Sequence, residues 1–250
     1  GEAGKESLEG SAQQEAGGTG TGGQEVSGVS DNSVSGNDVS GNSAGQENEG
    51  EITYSFTQVD ESYFDDAAFI GDSRTEGLIL NTGLNNAIEY THKGLMVDTV
   101  FTKPVIDMDG AKATVMDALK RTQFRKVYIM LGINETGWPY NDVFIHKYGE
   151  VIDAVKEINP TRRFMYSRSF RCPGRYRRST AISKMKNRGI QRALQEMAEE
   201  KQVYFVAAAE AVADGDGALP EDAAVDGIHL KKEYCVKWLE YLESHTVSAE

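Results

Sequence analysis

The chain has 250 residues, 39% of them hydrophobic and 26% charged, with a formal net charge of −13. That length can bury one sizeable core, and no run of about 18 apolar residues is present to span a membrane. The acidic balance argues against nucleic acid as a partner, and four His with two Cys make neither a Cys-rich zinc site nor a disulfide framework.

The first 50 residues hold 13 of the 26 Gly and no aromatic residue, and carry about −8 by side-chain count. Such a stretch buries too little apolar surface to offset chain entropy, so residues 1–52 are expected to be a disordered, acidic, Gly/Ser-rich linker. The echoing Val26-Ser27-Gly28, Val34-Ser35-Gly36 and Val39-Ser40-Gly41 read as low complexity. Residues 53–250 contain all the aromatics and form the expected folded domain. The chain starts at Gly1 rather than Met, which reads as a fragment or processed product. A spacer of this kind suits tethering to a membrane anchor or wall, so the expected location is extracellular or cell-surface.

Ala67-Ala68-Phe69-Ile70, stopped by Gly71, predicts a buried strand. The spacing of Ala113, Met116 and Leu119 predicts a helix over 111–121. Val127 to Leu131 predicts a second buried strand, ended by Gly132. Phe144, Tyr148, Val151, Ile152, Val155 and Ile158 share one face of a helix over 143–158, and Pro160 lies beyond its end. A helix over 184–201, a strand at 203–206 and a last helix over 232–243 follow. Strands alternating with helices predict an α/β fold, a three-layer α/β/α sandwich around a central parallel sheet. In such sheets the active site lies at the carboxyl ends of the strands.

Three short motifs fall at those ends or in loops. In Phe69-Ile70-Gly71-Asp72-Ser73-Arg74, Gly71 allows a tight exit and Ser73 opens the next helix, whose amides favour developing negative charge. The second is Gly132-Ile133-Asn134-Glu135. The third is Asp226-Gly227-Ile228-His229, where an Asp three residues before a His can bind one ring nitrogen and leave the other facing a serine. A serine nucleophile needs that arrangement.

The three blocks, in this order, resemble the SGNH hydrolases, the GDSL-like esterase/lipase family, over roughly residues 60–245. The resemblance implies a flavodoxin-like SGNH fold. It implies Ser73 as nucleophile, His229 as general base and Asp226 as its orienter. The implied oxyanion hole is made by the Ser73 amide, the Asn134 side chain and one glycine amide. Gly94 is the best match for that glycine, with Gly83 and Gly110 as alternatives. Arg74 stands where the family's name-giving motif has Leu, and a guanidinium there suits a polar or anionic substrate. Trp138, in Trp138-Pro139-Tyr140 just after Asn134, reads either as a sugar-binding wall or as aromatic packing at the cleft rim.

Other features read more simply. Asp214-Gly215-Asp216-Gly217 lacks the later acid and glycine of a calcium loop and reads as a turn. His92, His146 and His245 lack partner motifs. Cys235 lies on an apolar helix face and reads as a buried small hydrophobe.

Residues 161–192 break the pattern. An apolar strand is due after the helix ending near Ile158, yet nine Arg stand in this stretch. It reads either as an exposed basic loop or anion site, or as frame-shifted text. A text for Asn-Pro-Asp-Ala-Thr-Ile-Tyr-Val-Gln-Ser-Ile-Leu-Pro-Val, with one base lost near the Pro160 codon, gives the residues found at 159–172. The Arg-rich text and Cys172 would then carry no evolved function, and resequencing the locus tests this.

The expected activity is that of a serine esterase acting on acyl, chiefly O-acetyl, esters of a carbohydrate or cell-surface polymer, with no cofactor or metal and as a monomer. The alternatives are an O-acyltransferase with the same triad, and a non-catalytic surface protein that keeps the fold.

Overall fold

A computed structural model describes residues 56–160, 163–167, 181–214 and 219–247. The linker expected over 1–52 lies outside them. The elements run in chain order as β1 (Phe56–Thr57), β2 (Ala67–Gly71), α1 (Ser73–Thr82), β3 (Ile88–Thr91), α2 (Thr99–Thr102), β4 (Ile106–Met108), β5 (Ala111–Ala113), α3 (Val115–Lys120), β6 (Lys126–Met130), α4 (Asn141–Ile158), β7 (Arg163–Ser167), α5 (Ala181–Glu200), β8 (Tyr204–Val206), α6 (Lys232–Ser244) and β9 (Thr246–Val247).

The central sheet has the order β3-β2-β6-β7-β8, and every pairing in it is parallel. Its strands, counted in chain order, stand 2-1-3-4-5. In this doubly wound order the chain leaves β2 toward one edge and later returns to β6 on the other side of β2. Ligands bind in the crevice at that reversal, beyond the carboxyl ends of the strands.

The strand sequences explain the layers. Side chains alternate across a strand. Ala68 and Ile70 of β2, with Val127 and Ile129 of β6, enter one core together with Val115 and Leu119 of α3, Tyr148, Val151 and Val155 of α4, and Leu194 and Ala198 of α5. Ala67, Phe69, Tyr128 and Met130 point the other way, into a core with Leu78 of α1 and Trp238, Leu239 and Leu242 of α6. Both faces are covered, so these strands are apolar throughout rather than alternating.

Two expectations are corrected. Residues 111–113 are not helix but strand β5, paired antiparallel with β4. The turn between them is Asp109-Gly110 with φ of 52° and 84°, a two-residue hairpin geometry that overrides the helical spacing of Ala113, Met116 and Leu119 at its start. The helix starts only at Val115, where the Thr114 hydroxyl accepts from the Asp117 amide at 3.1 Å. Second, the stretch due to fail as a strand forms one: β7 runs between β6 and β8. Backbone pairing from both sides does not depend on side-chain type, and neighbouring strands can hold a sequence of poor composition. Residues 161–162 and 168–180, with Cys172, lie outside the described residues, and so does most of the Asp214–Gly217 turn.

Candidate active site

Gly71 ends β2 where a side chain cannot fit, since a Cβ there would run into the Thr75 side chain. The next residue, Asp72, is fully buried and caps α1, its carboxylate accepting from the Arg74 amide at 2.9 Å. Ser73 is thus the first residue of α1, with its amide among those that have no partner inside the helix. The positive end of the helix lies at its side chain.

Between Ala224 and Leu230 the chain makes a closed loop. An isolated bridge joins these two residues, and the Val225 amide donates to the His229 carbonyl at 2.9 Å. Inside it, Asp226 Oδ1 accepts from the amides of Ile228 at 3.0 Å and His229 at 2.8 Å. Asp226 Oδ2 meets His229 Nδ1 at 2.7 Å. The His229 amide first, and then its ring, hold the Asp226 carboxyl well below the usual carboxylate range. Asp226 is therefore ionised and can only accept, so Nδ1 donates. The lone pair of Nε2 then faces Ser73 Oγ, which lies 2.9 Å away. This hydrogen-bonded chain can take a proton from the serine as it attacks an electrophile.

The third corner lies beyond β6. Gly132 has a φ of 126°, and a Cβ there would sit 3.1 Å from the Phe144 ring, so the turn is both strained for other residues and closely packed. It brings Asn134 and Glu135 over the turn that follows β3. There the Leu95 amide donates to the His92 carbonyl at 3.0 Å, and Gly94 has a φ of 78°. The Asn134 Nδ2 donates to the Leu95 carbonyl at 2.9 Å. An amide nitrogen carries two hydrogens, so one more remains for a ligand. Among the described residues the Gly94 amide donates to no backbone carbonyl.

The structure separates the three candidate glycines. Gly83 caps the far end of α1, and Gly110 sits in the β4–β5 turn. Gly94 lies at the carboxyl edge of the sheet, in the turn that Asn134 holds.

Arg74, expected to face substrate, does not: it is 2% exposed, and its Nε donates to the Ile228 carbonyl at 2.9 Å. The helix turns this side chain inward, against the loop that carries His229. Trp138 is half-buried and packs against the core that holds Phe144 and Tyr148. His146 pairs with Glu150 and His245 stacks on Tyr241, both away from the site. Cys235 is buried, with burial pushing its thiol up to about 11. Among the described residues no three His, Cys, Asp or Glu side chains stand together as metal ligands.

One residue was missed as a functional candidate. Glu135 is 5% exposed, and its Oε1 accepts from the Val97 amide at 2.7 Å. Burial first, and the nearby Asp72 and Asp98 carboxylates, push its pKa up to about 7. The sequence showed an acid beside Asn134, but not that it points inward.

The sequence over residues 69–233 matches the GDSL-like lipase/acylhydrolase family, a span that includes Ser73, Gly94, Asn134, Asp226 and His229. The chain belongs to that family. Its members are acylhydrolases and esterases, so the chain is of the class of hydrolases acting on esters. Solved structures agree on the fold. A protein of Streptococcus pneumonia, provisionally described as a platelet activating factor, is 18% identical with a TM-score of 0.55, over 73% of this chain and 89% of that one. A GDSL-like lipase from Bacteroides thetaiotaomicron is 15% identical with a TM-score of 0.52, over 74% and 88%. A carbohydrate esterase family 3 protein from Talaromyces cellulolyticus is 16% identical with a TM-score of 0.50, over 71% and 93%. A comparison with curated proteins finds no match.

Proposed function

We propose that this GDSL-like protein is a serine esterase that removes acyl groups, chiefly acetyl, from an O-acylated carbohydrate. The observation that carries the reading is the chain from Ser73 Oγ to His229 Nε2 at 2.9 Å and from His229 Nδ1 to Asp226 at 2.7 Å. Ser73 attacks the ester carbonyl as His229 takes its proton. His229 then returns that proton to the leaving alkoxide, and a water repeats the cycle on the acyl-enzyme. Asp226, ionised throughout, fixes the ring tautomer and stabilises the imidazolium. The Ser73 and Gly94 amides and the second Asn134 hydrogen face the oxyanion.

The carbohydrate part has separate support. The site is open: the His229 and Asp226 side chains are 39% and 52% exposed, which suits a small acyl group on a large alcohol. The fold is shared with the Talaromyces carbohydrate esterase. The Gly/Ser-rich stretch over 1–50 suits a cell-surface polymer as the substrate.

The test is labelling by a fluorophosphonate together with acetate release from p-nitrophenyl acetate and acetylated xylan. Labelling that Ser73→Ala abolishes, with acetate released, is expected. Labelling with acetyl passed to an added sugar, and none to water, would make the protein a transferase. Absence of both labelling and release would leave a non-catalytic protein of this fold.

A further inference from the structure

The oxyanion donors come from two separate turns. Asn134 follows β6, and Gly94 follows β3, and these strands are not neighbours: β2 lies between them. The spacing of the two donors therefore depends on what joins the turns directly. Two side-chain bonds do so, both from the β6 side. Asn134 Nδ2 donates to the Leu95 carbonyl at 2.9 Å, and Glu135 Oε1 accepts from the Val97 amide at 2.7 Å. They bracket Met96 and anchor the turn just after Gly94.

We propose that Glu135 is a positioning residue, whose buried carboxyl fixes the Gly94–Val97 turn against the end of β6 and so sets the gap between the two oxyanion donors. This rests on the esterase reading above.

Three observations support it. Asn134 cannot hold the turn alone without a cost to its function: a donor swinging with a loose loop is not preorganised, and oxyanion stabilisation depends on donors already in place. The second tether removes that freedom. Next, Glu135 is expensive to keep where it is. It is 5% exposed, its Oε2 has no hydrogen-bond partner, and the Asp72 and Asp98 carboxylates lie close by. An apolar residue would fill the space without leaving a buried oxygen unpaired. Its bond to another segment of the chain is the one to Val97, and that bond acts on the site. Finally, Val97 is fully buried, so the amide that Glu135 holds is itself fixed by packing. Holding the Val97 amide to the end of β6 ties the turn that carries Gly94 to Asn134's own segment.

The bond needs only an acceptor oxygen at the end of a side chain of this length. Gln supplies one, and Ala does not. In the full chain, Glu135→Ala should lower kcat on p-nitrophenyl acetate by about tenfold or more while KM changes by less than about twofold, since ground-state binding does not need the donors aligned. Glu135→Gln should recover kcat to within about threefold. Backbone hydrogen exchange of the 92–99 segment reads the tether without substrate: it should quicken in Glu135→Ala and return to the wild-type rate in Glu135→Gln. An unchanged exchange rate in Glu135→Ala overturns the proposal, as does an unchanged kcat, or equal losses of kcat in both variants. Fluorophosphonate labelling of the wild-type protein is scored alongside. Without labelling or turnover the esterase reading fails and takes the oxyanion role with it, while the exchange result still decides whether Glu135 holds the turn.

Discussion

Arg74 Nε donates to the carbonyl of Ile228 at 2.9 Å, so the residue after Ser73 holds the residue before His229. Arg74 locks the two segments together at a point one residue from each.

It follows that Arg74→Ala should injure turnover without touching substrate. It leaves a carbonyl without its donor and a gap beside α1, at a cost on the order of 1–3 kcal/mol. We expect kcat/KM to fall by roughly tenfold or more, together with the melting temperature. Arg74→Lys should recover little, since an ammonium does not reproduce the planar Nε donor. Wild-type kinetics in Arg74→Ala would return this residue to the role of a bystander.

Ser73→Ala and His229→Ala should each remove nearly all turnover with folding unchanged. They act as one device, so the double variant should be no slower than either single one. Steady-state rates of the three proteins, with circular dichroism as the control, check this; additive losses would mean that the two residues work separately.

For Asn134→Ala the expected loss is on the order of 10²–10³ in kcat with little change in KM, as for other side-chain oxyanion donors. Asn134→Asp should be worse, because a carboxylate would face the developing negative charge and could not donate to the Leu95 carbonyl. A rise in KM alone would assign Asn134 to ground-state binding.

Glu135 also predicts a pH dependence of stability. Its folded pKa of about 7 lies above its ordinary 4.5, so the native state holds a proton that the unfolded chain releases. The associated stability is fully present below about 4.5 and is lost as pH rises toward about 7. Glu135→Gln has nothing to titrate there. Its stability relative to wild type should therefore climb across that window, by roughly 3 to 3.5 kcal/mol at most, and level off above it. Urea unfolding at a series of pH values measures this. A flat difference would place the carboxyl's titration elsewhere.

The parts of the fold legible in the sequence are those whose local pattern has one physical solution. β2 and β6 are buried on both faces, which forces unbroken apolar runs, and α4 and α6 bury one stripe, which forces helical spacing. β3 was not read. It is an edge strand in which Tyr90 is buried while Glu89 is exposed, so its apolar signal is half as dense. β5 was misread because the spacing of Ala113, Met116 and Leu119 outweighed the Asp109-Gly110 turn that sets the backbone there.

The site divides along the same line. Short motifs named Ser73, Asn134, Asp226 and His229, because a tight strand exit, a donor at a strand end and an Asp beside a His are local arrangements. The sequence could not show which way the side chains beside them turn. Arg74 read as a guanidinium facing substrate and Glu135 only as the acid that ends the motif with Asn134, and the fold buries both. Whether a charged side chain faces solvent or a carbonyl of another loop depends on what packs over it, and here those partners are 154 and 38 residues away in the chain. Local sequence fixes backbone dihedrals and apolar periodicity. Only the packed sheet, by bringing the ends of β2, β3 and β6 and the loop at Asp226 to one edge, decides which polar groups meet.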